Sequence, residues 1–156
     1  MPIKLDGIGH CAIAANDMAA MAHFYQEVLG FRLLEEDPDH GGIFLNLAGT
    51  SHTIDLFPMG TGGTKPAKDG SPLMHIAFKV SSYRALREAH DTLVEHGVAI
   101  RALRDHVSQR SIYFSDPEGT PLEIYYEKPN WAELFANGRG DDDGAFSFDS
   151  PAPGWE

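Results

Sequence analysis

Two stretches of this chain, HCAIA from His10 and HIAFK from His75, open the same succession of patterns, and this internal repeat constrains the fold more than any other feature. Self-similarity at a long interval means that one supersecondary unit has been used twice. In the first copy the strand Ile8–Ala14 leads to a capping residue, Asn16 or Asp17. Met18, Met21, Ala22, Tyr25, Val28 and Leu29 then recur at helical spacing up to Gly30, which suits a left-handed helix end. Strands Phe31–Glu36, Ile43–Leu47 and His52–Phe57 follow, parted by turn-rich Asp37–Gly42 and Ala48–Ser51. In the second copy the strand Met74–Val80 leads to a helix-capping residue, Ser81 or Ser82. Tyr83, Leu86, Ala89, Leu93 and Val94 line a helix ending at Gly97, and strands Val98–Leu103, Arg110–Ser115 and Pro121–Tyr126 complete the unit. The expected fold class is α+β: two tandem βαβββ modules forming one curved eight-stranded mixed sheet, helices outside, with a metal site in the concavity.

The module boundaries fall where composition changes. Module one spans 6–57 and module two 73–127, with PMGTGGTKPAKDGSP at 58–72 as a linker rich in Gly, Pro and Lys. The tail, 129–156, contains NWAELFAN at 130–137, expected as a short helix, then a solvated acidic run from Gly138 to Gly144. Phe146, Phe148 and Trp155 suggest that the end lies back on the body or on another subunit. A net charge of −11 argues against nucleic acid as a partner, because phosphate contacts require clustered Lys and Arg. Cys11 is the single cysteine, which precludes an intrachain disulfide. With neither a secretion signal nor a bilayer-length apolar run, the expectation is a cytoplasmic protein without a membrane partner.

The repeat also selects candidate ligands. His10 and His75 hold equivalent positions in the first strands of the two modules, so the imidazoles converge if the modules pack symmetrically. Glu123 stands among Leu122, Ile124, Tyr125 and Tyr126, so it either faces water on a half-exposed strand or is held inward by something positive, because an unpaired buried charge is very costly. Two neutral nitrogens and one carboxylate leave coordination positions open, an arrangement suited to Fe(II), with Mn(II), Ni(II) and Zn(II) also compatible. Cys11 adjoins His10, so the pleat sends it to the other face. Asp55 is the first module's counterpart of Glu123. Strand alternation separates it from His52, three residues earlier, and so argues against both facing one site. His23, His40, His90 and His96 have no comparable context and are assigned to the surface.

Four runs, HCAIA from His10, HFYQEVLGF from His23, MHIAF from Met74 and DHVSQRSIYFSDPEGTPLEIY from Asp105, resemble the vicinal-oxygen-chelate superfamily, which includes glyoxalases, bleomycin-resistance proteins and dioxygenases. The resemblance spans about 6–127 and implies a single domain over 1–128. His106 lies seven residues before Tyr113, and Tyr113 ten before Glu123, a spacing similar to type I extradiol ring-cleaving dioxygenases. SHTIDLF places His52 where those enzymes keep a histidine for acid/base work. The resemblance therefore implies an Fe(II) enzyme, Mn(II) being the other candidate, that opens a catechol-type aromatic diol with O₂. His10, His75 and Glu123 would bind metal, and His52, His106 and Tyr113 would act on the substrate. A neutral catechol or biaryl diol is expected, with Phe44, Asn46, Phe57, Trp131 and Phe135 as pocket residues and no arginine clearly placed for a substrate carboxylate. A homo-oligomer is the expected assembly. The alternatives are a glyoxalase-type isomerase or thiol transferase that adds Asp55 as a ligand, and a metal-free small-molecule binding protein; the candidate triad argues against the last.

Overall fold

Strand β1 (Cys11–Ala15) starts immediately after His10 and leads, through Asp17, into helix α1 (Met18–His23). The computed structural model describes residues 10–39, 41–47, 52–60, 75–136 and 144–155. They form an α+β protein of two units, divided between Gly70 and Ser71. The first unit continues with β2 (Arg32–Glu36), β3 (Ile43–Asn46) and β4 (Ile54–Pro58) in a sheet of order β1-β4-β3-β2. The second holds β5 (Ile76–Lys79), α2 (Tyr83–Glu95), β6 (Ala102–Asp105), β7 (Gln109–Ser115), β8 (Pro121–Glu127), α3 (Trp131–Ala136) and β9 (Gly144–Ala145), in the order β5-β8-β7-β6-β9.

Without β9, the second order reproduces the first, so the repeat read from the sequence is a repeat of topology. In both units the first strand lies parallel to the fourth: Ala12 pairs with Asp55 and Ala77 with Glu123. The third strand lies antiparallel to the fourth, with Phe44 opposite Asp55 and Tyr113 opposite Glu123. Each carboxylate thus occupies the same place in its sheet. A parallel neighbour needs a crossover, which α1 and α2 supply.

The helices start and stop as the sequence indicates. Asp17 Oδ1 accepts the Ala20 N–H at 2.9 Å, and Ser82 Oγ accepts the Ala85 N–H at 3.0 Å. Gly30 and Gly97 follow the helix ends at φ +75° and +70°, where a side chain would be strained. Met21, Tyr25, Leu45, Ile54 and Leu56 are fully buried in the first unit, as are Leu86, Ile112, Phe114 and Leu122 in the second. Burying such side chains contributes roughly 1.5–3 kcal/mol apiece.

Three local features differ from the sequence expectation. First, α1 passes into a π-helical segment, Phe24–Val28, in which the Leu29 N–H bonds Phe24 O at 3.1 Å. The wider turn brings the adjacent residues Phe24 and Tyr25 inward together, which a 3.6-residue period does not do. Second, β6 starts at Ala102 instead of Val98. The Val98 N–H closes onto Leu93 O at 2.9 Å, and the chain reaches β7 only when the Arg101 N–H meets Tyr113 O at 2.7 Å. Third, the tail adds a strand, β9, which pairs with β6; the burial of Phe148 and Trp155 against Tyr83 agrees with the expectation that the end lies back on the body. Among the described residues, no helix is long and apolar enough to cross a membrane. Ile8 and Gly9 of the expected first strand, His40, the turn at 48–51, linker residues 61–72, Met74 and the acidic residues 138–143 lie outside the described residues.

Candidate functional site

The candidate residues are divided between the units: His10 and His52 belong to the first, and His75, His106, Tyr113 and Glu123 to the second. In the first unit His10 precedes β1 and His52 precedes β4, neighbouring strands in one sheet. Their rings stack with centroids 4.3 Å apart and planes 27° from parallel. Asp55 joins them: its Oδ1 is 2.6 Å from His52 Nδ1 and its Oδ2 is 3.6 Å from His10 Nε2. One ligand atom from each of the three residues lies within 4.8 Å of the others. The alternation argument separating His52 from Asp55 is therefore overturned. Strand β4 begins only at Ile54, with a bend at Thr53, so period two does not reach His52.

In the second unit His75 precedes β5, and its Nε2 is 3.0 Å from Oε2 of Glu123 on the adjacent β8. Tyr113 lies opposite Glu123 in the β7–β8 register, its ring edge-on to His75 at 5.8 Å. The Tyr113 hydroxyl is 3.0 Å from His106 Nε2. His106 is held at the β6–β7 turn by its own N–H, which donates to Gln109 O at 2.8 Å. Val107, next to it, takes φ +67° with its N–H on Asp105 Oδ1 at 3.0 Å, so the tight turn is strained for a β-branched residue but braced.

Gln109 was absent from the sequence-derived candidates. Its Nε2 donates to Glu123 Oε1 at 3.1 Å and to Ser111 Oγ at 3.2 Å. One carboxylate oxygen thus takes the amide while the other faces His75. The signal was period two: Gln109, Ser111 and Tyr113 share a face of β7, which becomes visible once β7 is extended back to Gln109.

Asp55 and Glu123 are each 3% exposed, and neither meets a lysine or arginine among the described residues. A buried carboxylate faced only by imidazoles and an amide needs positive charge. Imidazole nitrogen with carboxylate oxygen is a donor set that a divalent first-row metal satisfies, so these residues fit such an ion. A pocket of about 420 Å³ in the second unit is lined by His75, His106, Tyr113, Arg101, Arg104 and neighbouring apolar residues. Of the other proposed pocket residues, Phe44 contacts His52 edge-on at 6.0 Å and Phe57 at 5.8 Å, whereas Trp131 is exposed. The Phe135 side chain lies outside what is described. His90, assigned to the surface, is partly covered by Phe148 at 4.8 Å.

Residues 7–124 match the model of the Glyoxalase/Bleomycin resistance protein/Dioxygenase superfamily. The uncharacterized protein YaeR of Escherichia coli (strain K12) is 33% identical over 132 residues, covering 79% of this chain and 98% of that protein. Catechol-2,3-dioxygenase of Bacillus subtilis (strain 168) is 27% identical over 78% of this chain, which spans only 42% of that enzyme's length. The structure of a glyoxylase/bleomycin resistance protein/dioxygenase domain from Frankia sp. EAN1pec superposes with a TM-score of 0.68 at 22% identity, covering 81% of this chain and 95% of that one. A twice-used βαβββ topology with a buried carboxylate beside a histidine in each copy, together with a family match over most of its length, places the chain in the glyoxalase/bleomycin resistance protein/dioxygenase superfamily.

Proposed function

We propose that this protein is an Fe(II)-dependent extradiol dioxygenase that opens the ring of a catechol-type diol beside its two hydroxyls, consuming O₂; Mn(II) is the other metal that suits the donor set. In this proposal the two βαβββ repeats share one curved eight-stranded sheet, and His10, His75 and Glu123 hold the ion in its concavity. The observation that carries the reading is the hydrogen-bonded pair His106–Tyr113, 3.0 Å apart, with Tyr113 directly opposite Glu123 in the β7–β8 register. A diol whose oxygen gains negative charge needs a hydrogen-bond donor beside it, and the Tyr113 hydroxyl would offer one.

A divalent metal held by His10, His75 and Glu123 would supply the electronic path from diol to O₂ and favour loss of a diol proton. The chain's own residues then position groups and move protons. Tyr113 hydrogen-bonds a substrate oxygen, and His106 fixes the direction of its hydroxyl. His52 holds or delivers a proton at Nε2, because Asp55 occupies its Nδ1 at 2.6 Å. Gln109 keeps one oxygen of Glu123 engaged, so the carboxylate presents the other.

One observation favours a second reading. Asp55 is both the register counterpart of Glu123 and 3.6 Å from His10, which suits a fourth ligand in a glyoxalase-type isomerase or thiol transferase. An oxygen electrode separates the two readings. Protein reconstituted anaerobically with Fe(II) should take up one O₂ per catechol and form a yellow ring-opened product. Turnover of a hemithioacetal without O₂ uptake would instead establish the isomerase reading.

A further inference from the structure

The pocket beside Tyr113 contains two arginines with no evident structural duty. Ala102 lies opposite Tyr113 and Arg104 opposite Ser111 in the β6–β7 register, so Arg104 shares the sheet face of Tyr113. Arg101 is tied to the same residue through its N–H on Tyr113 O at 2.7 Å. Both line the 420 Å³ pocket with His75, His106 and Tyr113. The unit's other described arginines are engaged: Arg84 with Glu88, Arg87 with the Phe148 carbonyl, and Arg110 with Asp105 and Tyr83. Neither the Arg101 nor the Arg104 guanidinium has an acceptor among the described residues.

In a chain of net charge −11, carboxylates are plentiful, so two unengaged guanidiniums in one pocket are a specific arrangement. A guanidinium is a planar fork of donors that matches a carboxylate in two parallel hydrogen bonds. Local positive charge is also what an anionic ligand needs to approach an acidic protein. The pocket volume falls within the range of small-molecule sites and is ample for a single substituted ring.

We infer that the substrate carries a carboxylate, seated by Arg101 and Arg104, while its reacting end lies toward His75, Tyr113 and His106. This replaces the sequence-based expectation of a neutral diol and rests on the reading of Tyr113 and His106 as the substrate-facing pair. Arg101 and Arg104 are then the specificity-determining residues.

The test is equilibrium binding, measured anaerobically on the metal-loaded protein so that no turnover occurs, with 3,4-dihydroxybenzoate and catechol as probes. The unaltered protein should bind 3,4-dihydroxybenzoate at least tenfold more tightly than catechol, and added salt should shrink that ratio. The double variant Arg101→Ala/Arg104→Ala should bring the ratio to about one, and Arg101→Lys/Arg104→Lys should restore part of it, because the charge remains while the fork is lost. Both side chains are exposed, so an unchanged melting temperature should accompany the loss. Equal binding, no binding of either probe, or a preference that survives in the alanine variant overturns the inference. Oxygen uptake is recorded separately. An arginine-dependent preference without uptake would refute the dioxygenase reading alone, whereas uptake with an arginine-independent preference would refute the carboxylate site alone.

Discussion

Asp55 is the residue on which the two chemical readings diverge, because its two oxygens face different histidines. Oδ1 lies 2.6 Å from His52 and Oδ2 lies 3.6 Å from His10. If the carboxylate serves to orient His52, Asp55→Asn keeps the shape and still accepts a hydrogen bond from Nδ1. The metal should then stay bound while catechol turnover falls by about 10²-fold, in the range of a lost acid/base contribution. If Asp55 is a ligand, metal stoichiometry itself should collapse, and metal analysis of the purified variant distinguishes these outcomes. Gln109 admits a parallel test. Gln109→Leu removes the donor 3.1 Å from Glu123 Oε1 while keeping most of the volume, and metal affinity should weaken roughly 10- to 100-fold, as for other groups that orient a ligand. Calorimetric titration with Co(II) reads this without any substrate. An affinity equal to that of the unaltered protein would mean that the hydrogen bond does not position the carboxylate.

At the scale of elements, legibility followed the range of the interactions involved. Helix starts, helix-ending glycines and the strand–helix–three-strand order depend on local chemistry, and Asp17, Ser82, Gly30 and Gly97 carry them in the sequence. The repeat puts His75 and Glu123 at positions equivalent to His10 and Asp55, and it is the parallel pairing of β5 with β8, matched by β1 with β4, that brings each pair together. The π-helical segment, the late start of β6 and strand β9 depend on contacts that no local pattern encodes. The contact of His52 with Asp55 is hidden in the sequence, because one residue of strand boundary decides which side chains alternate. The tail shows what a tertiary contact adds. The Arg110 guanidinium lies 4.5 Å from the Phe146 ring centroid and 4.7 Å from that of Trp155, while Lys128 Nζ is 4.0 Å from the Trp155 ring. Trp155→Ala should cost about 3 kcal/mol, a value typical of removing a large buried aromatic, measured as a shift in the urea midpoint. By contrast, Lys79 and Glu127 join β5 to β8 at 2.6 Å on the surface. This hydrogen bond raises the Lys79 pKa above its ordinary 10.5, so its stabilisation is present below that pH and fades as pH rises through the raised value. Because Lys79 is more than half exposed, Lys79→Met should lower stability by under about 1 kcal/mol, and the difference should disappear in strongly alkaline buffer.

At the scale of the whole molecule, thermal unfolding distinguishes the proposed triad, with ligands from both units, from an ion held by the first unit alone. His10, His52 and Asp55 already gather within 4.8 Å, a set that could bind an ion without the second unit. The proposed triad instead takes His10 from one unit and His75 and Glu123 from the other. The two cases predict different thermal unfolding. An ion that binds only the folded protein stabilises it by RT ln(1 + [L]/Kd), about 2.7 kcal/mol at a hundredfold excess over Kd. For a chain of this size that corresponds to roughly 5–10 °C in melting temperature. With ligands from both units, Co(II) should raise the melting temperature of the whole protein, and unfolding of the two units should merge into a single transition. Glu123→Gln, His75→Ala and His10→Ala should each abolish the rise. If the ion belongs to the first-unit cluster alone, Glu123→Gln and His75→Ala should leave the rise intact while His10→Ala removes it. Calorimetric scans of these variants with and without Co(II) therefore test the ligand set independently of any assumption about the reaction, and a rise that persists in Glu123→Gln would exclude the proposed triad.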